Sequence, residues 1–352
     1  MLTIGLGPAF ASGGGGGGGT TPDIFGLDFV TTTVEAKVTD KSITEFPLVD
    51  TSMLTVLEQM FDNCAQLKTI PLLKTSKATN MQSMFRFCSS LQTIPLLDTS
   101  NVTNMSFMFV DCSSLQTIPM LNTSRVTNMQ SMFKGCSFLQ TIPLLDTSNV
   151  TSFSNIFNGC KGLEEIPQID TSKATSISFM FTACSSLQAI PLLNTSKVTN
   201  MESVFSGCSS LQTIPQLDTS NATTLIRMFN GCSSLQTVPQ LDTSKNTSMY
   251  SMFDRCSSLQ TVSQLDALKV TSTTYAFRGC SVLETCFIKN LKTTISFNES
   301  PLLSKESVLF LFENAQTVTS TQTITLHADV FAQLTEDEIA IATEKGFSVV
   351  SA

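Results

Sequence analysis

A near-identical stretch of sequence recurs every 24 residues, and this recurrence constrains the fold more than any other feature of the chain. Residues 101–119 return with few changes at 125–143, so that Phe109, Cys112 and Leu115 each have a counterpart one period later. A fixed period of this length is typical of proteins built from stacked structural repeats. The sequence therefore predicts a stack in which each repeat packs on the one before it.

One part of each repeat has the spacing of a short amphipathic helix. Its apolar residues are separated by three, four and three positions, which would place them all on one side of two helical turns. In one repeat they are Val102, Met105, Phe109 and Cys112. Thr103 is the predicted N-cap residue. Because a helix of about eight residues is unstable alone, we expect packing between repeats to hold it.

The other part of each repeat has the pattern of a short strand. The strand signal is the short segment Leu115-Gln-Thr-Ile118, and Pro119, which has no N–H group for a sheet, ends it. A polar turn, such as residues 98–100, leads back to the next helix. We therefore predict an α/β solenoid with one short parallel strand and one short helix per 24-residue turn, plus a small α+β C-terminal cap.

The recurrence divides the chain into four parts. Residues 1–23 combine a short apolar segment with seven consecutive glycines, and we expect an attachment peptide followed by a flexible tether. Residues 24–45 contain one or two strand patterns and are the predicted N-terminal cap. About ten repeats occupy residues 46–286, and residues 287–352, where the recurrence stops, are the predicted C-terminal cap.

The C-terminal cap has patterns of conventional secondary structure. A helix is predicted over 304–315, and Thr335 and Glu338 have the capping-box spacing that opens a second helix, which Gly346 ends. Strands are predicted at 293–297, 321–326 and 347–350. We expect this segment to close the open end of the repeat stack.

Ten of the eleven cysteines occur once per repeat, so their spacing follows the fold. They are Cys64, Cys88, Cys112, Cys136, Cys160, Cys184, Cys208, Cys232, Cys256 and Cys280. The sequence favours a ladder of buried thiols, although stacked repeats about 5 Å apart would also allow disulfides. A zinc site is not expected, because there is no Cys-x-x-Cys pair and His327 is the only histidine.

Composition excludes several classes of function. The chain has a net charge of -8 and a pI near 4.7, whereas nucleic-acid binding needs clustered Lys and Arg. No apolar run approaches the roughly 20 residues of a membrane span. Neither a nucleophile beside a base nor a phosphate loop is evident. We therefore expect a non-enzymatic protein without a cofactor, a nucleic-acid partner or a membrane span.

Residues 99–115, with nine variant copies, closely resemble the BspA-like leucine-rich repeats of bacterial surface proteins, whose hallmark is Thr-Ser-Asn-Val-Thr-x-Met-x-x-Met-Phe-x-x-Cys-x-x-Leu. The resemblance covers about residues 46–285. Residues 334–347 are similar to a tail that accompanies such repeats in gut bacteria and their phages. The resemblance implies a leucine-rich-repeat solenoid that binds a protein or glycan on a cell surface, and it implies no catalytic residues.

The N-terminus differs from that of secreted BspA-like proteins, because it lacks a convincing secretion signal and the chain lacks an anchor motif. An apolar segment before polyglycine is more like a peptide that attaches a protein to a particle. We expect an extracellular or virion-associated recognition protein of a gut bacteriophage. A bacterial cell-surface adhesin and a purely structural particle protein remain the alternatives, and the oligomeric state is left open.

Three sets of residues are candidates for the binding surface. The first outward position of each strand forms a glutamine column, which could bind a polar ligand or only solvate the sheet. Its members are Gln92, Gln116, Gln140, Gln188, Gln212, Gln236 and Gln260. A second column contains Leu72, Leu96, Met120, Leu144 and Leu192, which either form an exposed apolar stripe or belong to the core. Aromatic residues also replace Ser or Gln in some repeats: Phe107, Phe179, Tyr250 and Tyr275.

Overall fold

The computed structural model describes residues 27–30 and 35–352, which divide into two compact units between Asn149 and Val150. The predicted attachment peptide and tether, residues 1–23, lie outside the described residues. In both units, residues 24 positions apart lie side by side and form parallel bridges, such as Asn80 with Asn104 and Ser176 with Asn200. The first unit ends at Asn149, and the second unit begins at Val150.

A short antiparallel hairpin begins the described part of the first unit, as the strand pattern of the N-terminal cap predicts. Strand β1, Leu27–Val30, pairs with β2, Glu35–Val38. The N–H group of Val38 donates to the carbonyl of Met60 at 2.8 Å, so that β2 is bonded to the first repeat.

Stacked phenylalanines form the centre of each unit. In the first unit, the rings of Phe61, Phe85, Phe109 and Phe133 follow one another at 5.4–5.6 Å and are nearly parallel. In the second unit, the stack runs from Phe157 to Phe277 at 5.5–5.8 Å. The predicted core residues of the repeat are buried as expected: Val102, Met105, Phe109, Cys112, Leu115 and Ile118.

The helix predicted in each repeat is wrong for the described repeats, which contain overlapping β-turns at that position. In residues 105–112, Met108 N–H donates to the carbonyl of Met105, which closes a turn. Phe107 N–H instead donates to Gln130 of the next repeat at 2.9 Å. Phe107 and Asp111 have φ of 60° and 56°, values that an α-helix cannot contain. The N–H groups thus alternate: one bonds within its own repeat, and the next bonds to the following repeat.

The predicted N-cap role of Thr103 is also wrong. Its hydroxyl donates to the carbonyl of Thr79 in the preceding repeat at 3.3 Å. The turn begins instead at Asn104, whose Oδ1 atom accepts a hydrogen bond from the N–H of Ser106 at 3.0 Å. An Asn side chain that bonds the backbone two residues on is the usual way of opening such a turn.

The strand predicted in each repeat is reduced to a single hydrogen bond in most described repeats. Gln116 N–H donates to Gln92 at 3.1 Å, but Pro119 offers no N–H group with which to extend the pairing. A longer strand forms where the proline is lost. Strand β3, Thr261–Asp266, has Ser263 at the proline position, and it pairs in parallel with β4, Thr285–Lys289.

Helices and further strands follow the repeats in the second unit. The two helices and three strands predicted there are confirmed, whereas the short helix Ala328–Phe331 was not predicted. Their order is β5 Ile295–Phe297, α1 Lys305–Asn314, β6 Gln322–Leu326, α2 Ala328–Phe331, α3 Glu336–Thr343 and β7 Phe347–Ser351. The strands form a parallel sheet in the order β5-β6-β7. Thr335 and Glu338 make both hydrogen bonds of the predicted capping box.

All eleven cysteines are free and buried, which confirms the predicted thiol ladder. In eight repeats the thiol also donates to the carbonyl of the preceding repeat's phenylalanine at 2.9–3.1 Å, as Cys112 does to Phe85. Burial raises the pKa of Cys64 to about 11 and that of Cys208 and Cys280 to about 12. These eight thiols therefore link neighbouring repeats, and burial opposes the ionisation of Cys64, Cys208 and Cys280.

These thiols predict a loss of stability in alkaline solution. Below a pH of about 8.5 they are protonated in both the folded and the unfolded chain. Above it the unfolded chain releases protons that the folded chain retains, so the free energy of unfolding falls by up to about 1.4 kcal/mol per pH unit per cysteine. Urea unfolding at several pH values between 7 and about 11 measures this loss. Rapid labelling of most cysteines in the native protein at neutral pH would contradict the ladder.

Candidate functional site

The predicted glutamine column is exposed in both units. Gln92, Gln116 and Gln140 lie in the first unit, and Gln188, Gln212, Gln236 and Gln260 lie in the second. Except for Gln140, their N–H groups donate the strand hydrogen bond to the preceding repeat, for example from Gln260 N–H to the carbonyl of Gln236 at 2.9 Å. Their side-chain amides make no hydrogen bond with another described residue, so they are available to water or to a ligand. A binding role for these glutamines stays a prediction.

An apolar row lies on the surface of the first unit. We define it as Leu48, Leu72, Leu96, Met120 and Leu144, whose exposed fractions range from 53% to 67%. The alternative that these residues belong to the core is therefore wrong. Each follows a proline, and the next residue, such as Leu97, points inward in its place. Contiguous apolar patches of this kind are rare on soluble proteins and usually mark a contact surface.

A groove of about 570 Å³ runs between the apolar row and the polar turns of the same repeats. The turns give it a charged rim. Asp98 accepts hydrogen bonds from the hydroxyl and the N–H of Ser100, which hold the pKa of Asp98 below its ordinary value. Asp50 and Lys74 form an exposed ion pair at 3.5 Å, which contributes little to stability. The rim therefore stays ionised at neutral pH.

The second unit has glutamine at several positions equivalent to the apolar row: Gln168, Gln216, Gln240 and Gln264. The Nε2 group of Gln216 donates to the carbonyl of Leu217 at 3.0 Å and to the carbonyl of Gln240 in the next repeat at 2.7 Å. Gln168 and Gln240 make the same pair of bonds. These amides satisfy backbone carbonyls from within the chain.

The first unit lacks these amide donors because leucine and methionine occupy the same positions. Among the described residues, no protein group donates to the carbonyls of Leu96 and Met120, which are equivalent to those that glutamine satisfies in the second unit. The apolar row is therefore accompanied by backbone carbonyls that have no donor among the described residues. The sequence showed the change from leucine to glutamine, but only the structure shows what it does to the carbonyls.

The four aromatic residues singled out in the sequence differ in exposure. Phe107, Phe179 and Tyr250 are half-buried, whereas Tyr275 is 48% exposed and lines a second groove. Tyr250 and Tyr275 lie in neighbouring repeats of the second unit, with ring centroids 6.1 Å apart. The structure thus brings only these two of the four aromatics together, counting within the part of the chain that it describes.

Two features that would indicate other functions are absent from the described residues. No group of three or more His, Cys, Asp or Glu side chains there could hold a metal ion. No helix among those residues is long and apolar enough to cross a membrane.

Comparison with known proteins identifies one family. The model of the family described as "Mycoplasma protein of unknown function, DUF285" matches residues 31–137, 116–191 and 185–290. A search of curated proteins found no match.

Similar solved structures are leucine-rich repeat proteins. A leucine-rich repeat protein from Eubacterium ventriosum is 19% identical, with 74% of this chain and 88% of that chain covered and a TM-score of 0.39. A T. pallidum leucine-rich repeat protein is 19% identical, with 61% and 90% covered and a TM-score of 0.35. The functional domain of InlJ from Listeria monocytogenes, which includes a cysteine ladder, is 13% identical, with 84% and 73% covered and a TM-score of 0.22.

Glutamine substitutions in the apolar row should remove the patch without unfolding the protein, because the chain itself uses glutamine at this position in other repeats. We expect the triple variant L72Q/L96Q/M120Q to keep its free energy of unfolding within about 1 kcal/mol of the parent. It should bind much less of an environment-sensitive apolar dye. The matched control is Leu97→Gln, which places an amide in the core and should cost about 3 kcal/mol or more. Unchanged dye binding by the triple variant would contradict the assignment.

Proposed function

The chain belongs to the family described as Mycoplasma protein of unknown function, DUF285, and from this premise we propose that it is a non-enzymatic recognition or adhesion protein. The family match covers residues 31–290, which include all the repeats that carry the apolar row and the glutamine column. It supports the resemblance to BspA-like repeats, and hence a protein of the surface or adhesion type. The ligand is a protein or glycan on a cell surface.

The exposed apolar row carries the proposal, and its ligand is a polypeptide of a surface protein. Burying each leucine or methionine against apolar side chains of a partner would contribute roughly 1 kcal/mol, since each is about half exposed. Backbone N–H groups of the partner would donate to the available carbonyls beside the row. A polypeptide offers both kinds of group in alternation, whereas a glycan offers few apolar groups.

A second copy of the chain suits the row less well. A symmetric pairing centred on Leu96 would place Asp98 opposite its own copy. Like charges opposed in this way weaken association, because the interface would bring them closer together. The charged rim therefore favours a different protein over self-association.

The location that we propose is the particle of a gut bacteriophage, with the row facing the host cell. The support is in the sequence, where a short apolar segment precedes seven glycines in residues 1–23. Such a segment suits attachment to a particle. The alternative is a bacterial cell-surface adhesin that binds host or matrix protein. A purely structural particle protein is the third candidate.

Mass spectrometry of two fractions separates these locations. For a virion protein, we expect the chain in purified phage particles with Met1 retained. Recovery from a culture supernatant with a cleaved N-terminus, and absence from the particles, would overturn the virion assignment and favour the adhesin.

Binding to intact cells tests recognition itself. The labelled full-length chain is applied to a panel of gut bacterial isolates and to immobilised matrix proteins. We expect saturable binding that protease treatment of the cells abolishes and that L72Q/L96Q/M120Q weakens by about 10- to 100-fold. Binding that survives the triple substitution would overturn the role of the row. Absence of binding to every surface by folded protein would favour the structural role.

A further inference from the structure

An aromatic cluster in the second unit contains the two tyrosines of the chain. Tyr250 and Tyr275 are the only tyrosines, and the chain contains no tryptophan. Their rings meet edge to face at an interplanar angle of 68°, which is a favourable geometry for an aromatic pair. Two tyrosines of separate repeats thus form a single aromatic cluster.

Two arginines hold this aromatic cluster in place. The guanidinium group of Arg227 lies 5.0 Å from the ring centroid of Tyr250, and that of Arg278 lies 4.3 Å from the centroid of Tyr275. Both distances are within the range of cation–π attraction. Tyr275 is nevertheless 48% exposed, so Arg278 leaves much of its ring open to solvent. The arginines thus support the two tyrosine rings and leave the ring of Tyr275 partly exposed.

Arg278 is itself fixed by a buried carboxylate. Its Nε and Nη2 groups donate to the two oxygens of Asp254 at 2.8 and 2.6 Å. Asp254 is buried and also accepts a hydrogen bond from Asn230 at 3.0 Å. Such a two-point contact between arginine and carboxylate fixes the guanidinium orientation. The open ring of Tyr275 is therefore preorganised, which lowers the entropy lost on binding.

Beside Tyr275 lies a groove of about 420 Å³, a volume in the range of small-ligand sites. Its walls are rich in hydroxyl and amide groups, and they include Ser272, Thr274, Ser296 and Asn298. Neighbouring pairs bond each other weakly at the surface, as the Ser272 hydroxyl does to Thr274 at 3.2 Å. Exposed hydroxyls and amides can both donate and accept. The groove thus combines one aromatic ring with many small polar groups.

The charge of the groove selects against anionic ligands. Asp254 pairs with Arg278 and so offsets its positive charge. Glu299, which is exposed at the groove, adds a negative charge. A phosphate, sulfate or carboxylate would therefore find no uncompensated cation among the residues that line the groove. An uncharged ligand with many hydroxyl groups fits this environment best.

We propose that this groove binds a neutral glycan. One face of a sugar ring carries C–H groups, which pack on the exposed face of Tyr275, where the aromatic quadrupole is negative. The sugar hydroxyls would exchange hydrogen bonds with the Ser, Thr and Asn side chains and with Glu299. This site deepens the recognition role proposed above, on which it rests, but it is independent of the apolar row.

The two tyrosines provide a direct optical test, because no other residue of the chain fluoresces when tyrosine is excited selectively. The full-length protein is titrated with maltotriose, cellotriose and N,N′,N″-triacetylchitotriose. We expect a saturable change in tyrosine emission with at least one of them, and none with sialyllactose or a heparin fragment. A folded protein that shows no saturable change with any of the three, and binds no neutral glycan on an array, would overturn the proposal.

Matched variants locate the site. Tyr275→Ser should fold normally, because Ser251 occupies the equivalent position in the preceding repeat with a similar backbone, φ of 50° against 59°. We expect it to weaken glycan binding by about tenfold, measured through the remaining Tyr250 or on the array. Phe107→Ser makes the equivalent change in the first unit and should leave binding unchanged. Equal glycan affinity of Tyr275→Ser and the parent would overturn the assignment.

The same titration separates the two proposed sites. L72Q/L96Q/M120Q should lose cell-surface protein binding but keep its response to the saccharide. If Tyr275→Ser and the triple variant lost the same activity together, the two ligands would share one site, and the independent glycan groove would be wrong.

Discussion

Hydrogen bonds between adjacent repeats are the interaction on which the rest of the structure depends. In the turn segment, every second N–H group donates to the carbonyl of the residue that is 23 positions further along, as Phe109 does to Met132. The backbone of one repeat is thereby copied onto the next. Each copy places its phenylalanine on the preceding one and its thiol beside a carbonyl. The stacked rings and the cysteine ladder follow from this pairing.

The same pairing accounts for the unusual backbone of the turn segment. Directing alternate N–H groups towards the next repeat requires two residues per repeat with positive φ, in the left-handed region. Asp111 and Ala183 adopt φ of 56° and 59° at one of them, where Gly135 and Gly207 avoid the strain that a side chain brings. The strain is tolerated because the neighbouring repeats hold the turn on both sides.

The inward-facing side chains form the stacked core. Differences between repeats therefore occur at the outward-facing positions. Replacing leucine by glutamine after the proline turns an apolar surface with available carbonyls into a polar one that satisfies its own backbone. Placing tyrosine where other repeats have serine or glutamine creates an aromatic platform beside a hydroxyl-lined groove. Both changes leave the core untouched, so repeats with the same core can present different surfaces.

The sequence by itself determined the period, the core residues, the buried thiols and all but one short helix of the elements after the repeats, because apolar spacing and capping residues act locally. It was wrong about the helix, since a 3-4-3 spacing also fits successive β-turns, and the choice between them depends on hydrogen bonds to another repeat. It overstated the strands. Pro119 lies at the end of the predicted strand, but its missing N–H group reduces the pairing to a single hydrogen bond. Only the tertiary structure decided that Leu96 faces solvent and that Asp254 fixes Arg278 beside Tyr275, since both depend on neighbouring repeats that are 24 residues away in the chain.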